Sequence, residues 1–423
     1  MKGTRAVAEA LRRSADTYYA VGGYPVTEVA SRLSAEAVVN EKVALEYALG
    51  DSLSGRRSAV LVKNVGLNAC ADPLVNATTQ GLRSGVVVVA GDDVDVRGSQ
   101  NAEDSRYFGE LAQVPVIEPG AETCRQAVEE AFIVSERFSR IAILRVTPAL
   151  LESEVSGQFA ERRDGAGTLA DPNLSMAGRV TAADRTTGDM FAWSRTSSLN
   201  RFCGPPAGVG AAPGRSRVVT VYPPPGTPRD LADVREYGRP FVREHRDVQP
   251  PEISRAAESF KTRGYYRTFC PSCPFKAAIE VLQEKGLSAV CDMGCSVFAM
   301  NPPYRVGIAT YGLGSSVAVA ARSTRVAISG DFALLHSGLN ALIDVVEKKL
   351  PMLCIVLANK RMGMVGGEPC YDVMDYIGWT HPVTVPAGDR ERLREQLRIP
   401  ESLSVVVITG ECPSGETHAT VEC

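Results

Sequence analysis

The stretch RVAISGDFALLHSGLNALIDVVEKKLPMLCIVLANKRMGMVGG, residues 325–367, decides the fold class. Arg325–Ser329 is a short β-branched run that leads through Gly330–Asp331 into a helical stretch near Leu339–Lys348. Met352–Ala358 is a second apolar run of strand length. Strand, helix and strand in that order form a βαβ unit with two parallel strands. Parallel strands bring their C-terminal ends to one edge, where open α/β sheets bind ligands. Asp331 and Asn359 each follow a strand, so they converge on that edge.

The same alternation extends outward. A helix at Lys276–Lys285 precedes the strand Ser288–Asp292, and the Gly-rich turn Gly312–Ser315 opens the helix Ser316–Ala321. Leu403–Thr409 supplies a further strand. Near the N-terminus, Ala6–Tyr19 has helical spacing, and Ser58–Val62, Val86–Ala90 and Ile141–Val146 read as buried strands. Helical segments near Glu41–Leu53 and Ala121–Phe138 lie between them. From about Leu151 to Val248 the alternation fades into Gly- and Pro-rich stretches, with one short strand at Arg217–Tyr222. The expected architecture is α/β: two doubly wound parallel-sheet domains, 1–150 and 256–423, joined by a reduced, irregular middle region, 151–255.

Composition narrows the function classes. A chain of 423 residues with 44% hydrophobic and 22% charged content is an ordinary globular sequence that needs no disulfide staples. A net charge of −3 gives no basic field for nucleic acid or an anionic membrane. No apolar run is long enough to span a bilayer, and the N-terminal stretch lacks a signal-peptide core. A cytoplasmic location is therefore expected, where disulfides are rare. The 11 cysteines are an odd number, which excludes complete intrachain pairing. They read as buried thiols, a catalytic thiol or metal ligands.

Three constellations carry chemistry. The first is Asp331 with Asn359. A carboxylate, an amide oxygen and a backbone carbonyl suit Mg²⁺, which completes an oxygen shell from a diphosphate. The plainer alternative is a helix N-cap and a turn asparagine. The turn KRMGMVGGEP after Asn359 adds backbone N–H groups able to cradle a phosphate or a ring. The second is cysteine: Cys270 and Cys273 in CPSC, Cys295 in CDMGC, and Cys412 after a strand. Four thiolates suit Zn²⁺ or an iron–sulfur cluster, and unliganded thiols are the alternative. The third is Glu41, at the start of an Ala-rich helix, either favouring the helix dipole or serving as a buried carboxylate for a cofactor nitrogen. Glu46 and Asp51 on the same helix read as solvated charges.

Ordered motifs along the chain resemble the indolepyruvate:ferredoxin oxidoreductase alpha subunit family. They are YPVTEV (24–29), NEKVALEYALG (40–50), KNVGLNACADPLVN (63–76), GDDVDVRGSQNAEDSRYF (91–108), PVIEPG (115–120), CPSCP, DMGCS, GDFALLHSG (330–338) and ANKRMGMVGG (358–367). A weaker match at 218–242 resembles that family's middle domain. The resemblance implies two thiamine-binding domains, pyrimidine-type then diphosphate-type, holding thiamine diphosphate with Mg²⁺. Gly330, Asp331 and Asn359 fall on its metal and diphosphate positions, and Arg361 offers a backbone oxygen. Met364, Gly366 and Gly367 fall in the loop against the cofactor. Glu41 matches the acid on the aminopyrimidine ring. Thr27 matches a substrate-contact threonine, Arg106 a carboxylate-binding arginine, and His336 a histidine of the family. Cys270, Cys273, Cys295 and Cys412 fall on the ligands of a [4Fe–4S] cluster.

The activity so implied is oxidative decarboxylation of a 2-oxoacid, with electrons leaving through the cluster to ferredoxin or another acceptor. A homodimer is expected, with a smaller partner subunit. The sequence departs from the family in ways that bear on this. It ends at Cys423, shortly after Cys412, where relatives carry a two-cluster ferredoxin-like domain, so the acceptor is expected to be a separate protein. Ala358, Phe332, Phe275, Met362 and Val365 replace an acid, a small residue, a histidine and two hydroxyl residues. Two other readings stand beside this one: a nonoxidative thiamine decarboxylase or carboligase, and a non-catalytic assembly subunit that keeps the fold.

Overall fold

The computed structural model describes residues 1–93, 97–99, 103–196, 201–202, 217–221 and 265–422. The chain divides into two compact units, Met1–Leu169 with Val180–Ala256, and Ala170–Arg179 with Ala257–Cys423. Most of the weak match at 218–242, along with Cys203 and Cys423, lies outside the described residues.

The first unit is built on a sheet in the order β2-β1-β3-β4-β6-β5-β8-β7. Its strands are β1 (Thr17–Ala20), β2 (Glu36–Ala37), β3 (Ser58–Lys63), β4 (Val86–Gly91), β5 (Val116–Pro119), β6 (Ala142–Val146), β7 (Arg201–Phe202) and β8 (Arg217–Val221). The pairs from β2 to β5 are parallel, while β8 joins β5 and β7 antiparallel. Every residue of β4 and β6 is buried, as expected of a parallel sheet covered on both faces. Helices α1 (Gly3–Ser14), α2 (Thr27–Leu33) and α6 (Cys124–Phe138) pack their apolar sides into one core with Val87, Val89, Ala142 and Leu144. Helices α3 (Glu41–Leu53), α4 (Leu67–Gln80), α5 (Arg106–Ala112) and α7 (Pro148–Glu152) complete the alternation. Within the stretch read as irregular, the structure forms a long helix, α8 (Met176–Thr196).

The second unit carries a six-stranded parallel sheet in the order β11-β10-β12-β13-β15-β14. Its strands are β10 (Ala289–Cys291), β11 (Gly307–Ala309), β12 (Val326–Gly330), β13 (Leu353–Ala358), β14 (Val383–Pro386) and β15 (Ser404–Thr409). Helix α9 (Lys276–Glu284) leads into β10, and α10 (Ser316–Ala321) and α11 (Leu339–Glu347) lie on the crossovers from β11 to β12 and from β12 to β13. A short antiparallel ribbon joins β9 (Tyr265–Arg267) to β16 (Thr420–Glu422). From β10 the chain runs to β11 on one side and then to β12 on the other. This reversal is a topological switch point, where α/β sheets open a ligand crevice beyond the strand ends. The doubly wound α/β class read from the sequence is the fold observed. Among the described residues, no helix is long and apolar enough to cross a membrane.

Candidate active site

The edge of the second sheet is built by register. Gly330, the last residue of β12, pairs with Leu357 of β13, so Asp331 and Asn359 leave the sheet side by side. Asp331 is 2% exposed. Its Oδ1 accepts the Phe332 N–H at 2.8 Å, and its Oδ2 accepts the N–H groups of Asn359 at 3.0 Å and Lys360 at 2.6 Å. Burial pushes its pKa up, and these N–H groups only partly offset that. Among the described residues no lysine or arginine side chain pairs with it; the Lys360 amine goes instead to Asp372. A buried carboxylate held only by backbone dipoles is a natural partner for a bound cation.

Asn359 faces two ways. Its Oδ1 accepts the Arg361 N–H at 3.1 Å, and its Nδ2 donates to Cys412 Sγ at 2.8 Å. The following loop folds back as a small hairpin. Met362 N–H donates to Glu368 O, Cys370 N–H to Lys360 O, and Arg361 bridges Pro369. Gly366 and Gly367 stand at φ 95° and 74°, where a side chain would be strained, and Met364 is 44% exposed at the tip. His336 is exposed, within a π-helical turn Leu334–Gly338 that follows Asp331. Its Nδ1 is 3.3 Å from Ser337 Oγ, and its ring packs 5.6 Å from Phe332. Such turns recur at functional sites.

The four cysteines gather at the same edge. A Cβ added to Gly363 would lie 3.7 Å from Cys412 Sγ and 3.8 Å from Cys295 Sγ, with the Asn359 amide nitrogen 3.7 Å away. Cys270 and Cys273 form one turn, the Cys273 N–H donating to Cys270 O. Burial pushes the Cys273 thiol up to about 11 and Cys295 to about 12, and the neighbouring thiols add to the rise. A residue that the sequence reading passed over completes the group. His418 has Nδ1 at 3.4 Å from Cys270 Sγ and Nε2 at 3.9 Å from Cys295 Sγ. Burial, then the Arg267 charge, lowers its pKa. The available signal was composition: each of only 4 histidines is informative, and this one follows closely on Cys412. Among the described residues, no three His, Cys, Asp or Glu side chains stand in the geometry of a single metal ion.

In the first unit, Glu41 opens α3 behind the N-cap Asn40, whose Oδ1 accepts the Val43 N–H at 2.9 Å. Gly66 leaves room for it; a Cβ there would stand 2.9 Å from both Cγ and Oε1 of Glu41. Glu46 and Asp51 are not solvated, as expected from the sequence, but fully buried. Glu46 pairs with Lys42 at 2.8 Å, and Asp51 accepts the hydroxyls of Thr17 at 2.6 Å and Tyr19 at 2.7 Å. Thr27 is exposed at the start of α2, where its Oγ1 accepts the Gly23 N–H. Arg106 is 8% exposed and already engaged, with Nε at 2.9 Å from Asp104 and Nη1 at 3.4 Å from Glu118. A substrate carboxylate there would compete with these ion pairs.

Comparison with known proteins defines the class. Residues 292–381 match the family model of the thiamine pyrophosphate enzyme C-terminal TPP binding domain. Two solved structures share the fold over 98% of this chain. One is described as a thiamin diphosphate-dependent enzyme of Mycobacterium smegmatis, at 14% identity and TM-score 0.58. The other is a thiamine diphosphate-dependent 4-hydroxybenzoylformate decarboxylase of Rhodococcus jostii, at 16% identity and TM-score 0.57. The chain is thus similar to thiamine diphosphate-dependent enzymes, in sequence over residues 292–381 and in fold over most of its length.

It is also similar to the IorA subunits of indolepyruvate oxidoreductases. It is 27% identical to the subunit of Methanothermobacter thermautotrophicus over 82% of this chain and 72% of that one. With that of Archaeoglobus fulgidus it shares 24% identity over 87% and 75%. A segment covering 33% of this chain and 23% of the Pyrococcus abyssi subunit is 35% identical.

The residues present suit the groups that this class implies. Asp331 Oδ, Asn359 Oδ1 and the Arg361 carbonyl are hard oxygen donors of the kind Mg²⁺ takes. The thiols and His418 are soft donors of the kind iron or zinc takes.

Proposed function

We propose that the chain is the catalytic subunit of a thiamine diphosphate-dependent enzyme that oxidatively decarboxylates a 2-oxoacid. The observation that carries the proposal is the Asn359 side chain, one end of which lies at the Asp331 edge while the other donates to Cys412. A diphosphate–metal site and a thiol site that share one residue suit an enzyme that removes electrons close to where it cleaves a carbon–carbon bond. Asp331, Asn359 and the Arg361 carbonyl would hold Mg²⁺, with Gly330, His336, Met364, Gly366 and Gly367 around the diphosphate end. Glu41 would hold the pyrimidine ring of a cofactor, and Thr27 and Arg106 would meet the substrate. Cys270, Cys273, Cys295 and Cys412 would hold a [4Fe–4S] cluster. When bound, thiamine diphosphate supplies the electron sink for decarboxylation, and the cluster supplies one-electron transfer.

The protein's own part is to orient the donors, exclude water and keep the acid at Glu41 in place. Relatives named as subunits support a partner subunit, and the proposal takes the chain to be a cytoplasmic homodimer that passes electrons to ferredoxin or another acceptor. Protein purified without oxygen should contain iron, sulfide and thiamine, and should consume a 2-oxoacid only when a viologen acceptor is present. A nonoxidative decarboxylase is the second reading. It is favoured by Phe332 and Phe275, which depart from the family resemblance beside Asp331 and the CPSC turn. Turnover without any acceptor, in protein free of iron, would establish that reading and reject the first.

A further inference from the structure

We propose that His418 is a fifth member of the thiol site, a positioning residue whose ring N–H donates to cysteine sulfur and raises the reduction potential of the iron–sulfur group held there. The inference rests on the cluster reading above. Three observations lead to it. First, the imidazole lies between two thiols, with Nδ1 at 3.4 Å from Cys270 Sγ and Nε2 at 3.9 Å from Cys295 Sγ. Both contacts are longer than metal–nitrogen bonds; the neutral ring carries one N–H, which the proposal assigns to Nδ1, the nitrogen nearer a sulfur, facing Cys270.

Second, the ring is fixed on its other side. It packs against Phe298 with centroids 4.5 Å apart, and Phe298 is a core residue of the second unit. Third, the segment carrying it is strapped over the CPSC turn. Glu416 accepts the Ser272 N–H at 3.1 Å as well as the Ser272 hydroxyl. Thr268 N–H donates to Ala419 O at 2.9 Å, and β16 pairs with β9 from Thr420 to Glu422. A tail with no role at the thiols would have no need of anchors on both sides of its one histidine.

The chemistry follows from charge. Reduction adds an electron to a thiolate-ligated cluster, and the added negative charge falls partly on the sulfurs. An N–H donor aimed at sulfur stabilises the reduced form more than the oxidised one, so it raises the potential. Cys412 already has such a donor in Asn359 Nδ2, at 2.8 Å. His418 gives Cys270 its counterpart through Nδ1.

The test uses the full chain, loaded anaerobically with iron and sulfide, as wild type, His418→Phe and His418→Gln. Iron and sulfide contents are measured first, and the midpoint potential is then read from the electron paramagnetic resonance of the reduced cluster. The expected result is a lower potential and an altered line shape in His418→Phe at wild-type iron content. His418→Gln, which keeps an N–H donor, should restore part of the difference. If wild type takes up no iron and sulfide, the cluster reading is overturned and this inference falls with it. If wild type loads but His418→Phe has the wild-type potential and line shape, this inference alone is overturned. Should His418→Phe lose its iron, the Gln variant decides. A loaded Gln variant with a near-wild-type potential supports the donor role, whereas one as depleted as Phe gives position 418 a packing role only.

Discussion

At the C-terminal edge of the first sheet, Arg145 of β6 is fully buried among carboxylates, 2.5 Å from Asp92 and 2.8 Å from Glu118, with Asp104 at 3.9 Å. At the same edge of the second sheet, Asp331 is buried with only backbone N–H groups around its oxygens. Two sheets of one fold class thus end in opposite chemistry. In the first, burial pushes both Asp104 and Asp92 up; the Arg106 and Arg145 guanidiniums outweigh it at Asp104, while at Asp92 burial prevails even beside Arg145. There the charges are paired with one another. In the second, Asp331 is buried with backbone N–H groups and, among the described residues, no cationic side chain paired with it, so that edge suits an added cation. The largest expected effect tests the first half of this contrast. Arg145→Met should leave three buried carboxylates without their central cation and cost about 3–5 kcal/mol of stability. Urea unfolding measures it, and an unchanged midpoint would mean that the first edge does not depend on its ion pairs.

The second half is tested at Asp331. Asp331→Ala removes an acceptor of backbone hydrogen bonds, so it should cost only about 1–2 kcal/mol of stability. Binding of thiamine diphosphate with Mg²⁺ should fall by about 100-fold, close to 2.7 kcal/mol. Calorimetry on the same preparation separates the two losses. A variant that is unstable yet binds normally would make the two edges alike and remove the site from this one.

The contrast also shows what a sequence can reveal. The parallel sheet, the strand ends and the nearness of Asp331 to Asn359 were legible, because short apolar runs followed by polar residues encode them directly. The four cysteines could likewise be picked out by their places at strand ends. Glu46 and Asp51 misled because α3 is buried almost all round, from Val43 to Leu53. A helix without a wet face has no period to show which charges are paired inside. Arg106 could be located on α5, but its partners Asp104 and Glu118 come together only through the fold. His418 reaches Cys270 because β16 pairs with β9, a ribbon too short to announce itself in sequence. The helix α8 lay hidden between stretches whose Gly and Pro content dominated the reading.

A smaller effect sharpens the role of the first unit. Gly66→Ala would place a methyl 2.9 Å from Glu41 Cγ and Oε1. The far end of a glutamate can swing away, so stability should change by less than about 1 kcal/mol. The displaced carboxylate should nevertheless lower 2-oxoacid turnover by about tenfold, since catalytic groups tolerate little misplacement. Steady-state kinetics with normal unfolding curves would show this pattern. Unchanged turnover would leave Glu41 as a helix-start residue, and the first unit without a catalytic carboxylate.

The smallest effect concerns the thiols themselves. Cys124, at the start of α6, lies in the core of the first unit, and burial pushes it up to about 11. The raised value belongs to the folded state, so the fold favours the protonated thiol. The stabilisation is complete below the unfolded thiol's value, about 8.5, and is lost as pH rises through the folded value. Between pH 8 and pH 9.5 Cys124 should therefore account for about 1 kcal/mol of the fall in unfolding free energy. Cys124→Ala should show a correspondingly shallower decline over the same interval. In the second unit the half-buried Cys270 thiol should react with iodoacetamide at pH 8 well before Cys124, because it combines access with a smaller burial penalty. Parallel declines in both proteins, or early labelling of Cys124, would put the core thiol and the edge thiols in one class.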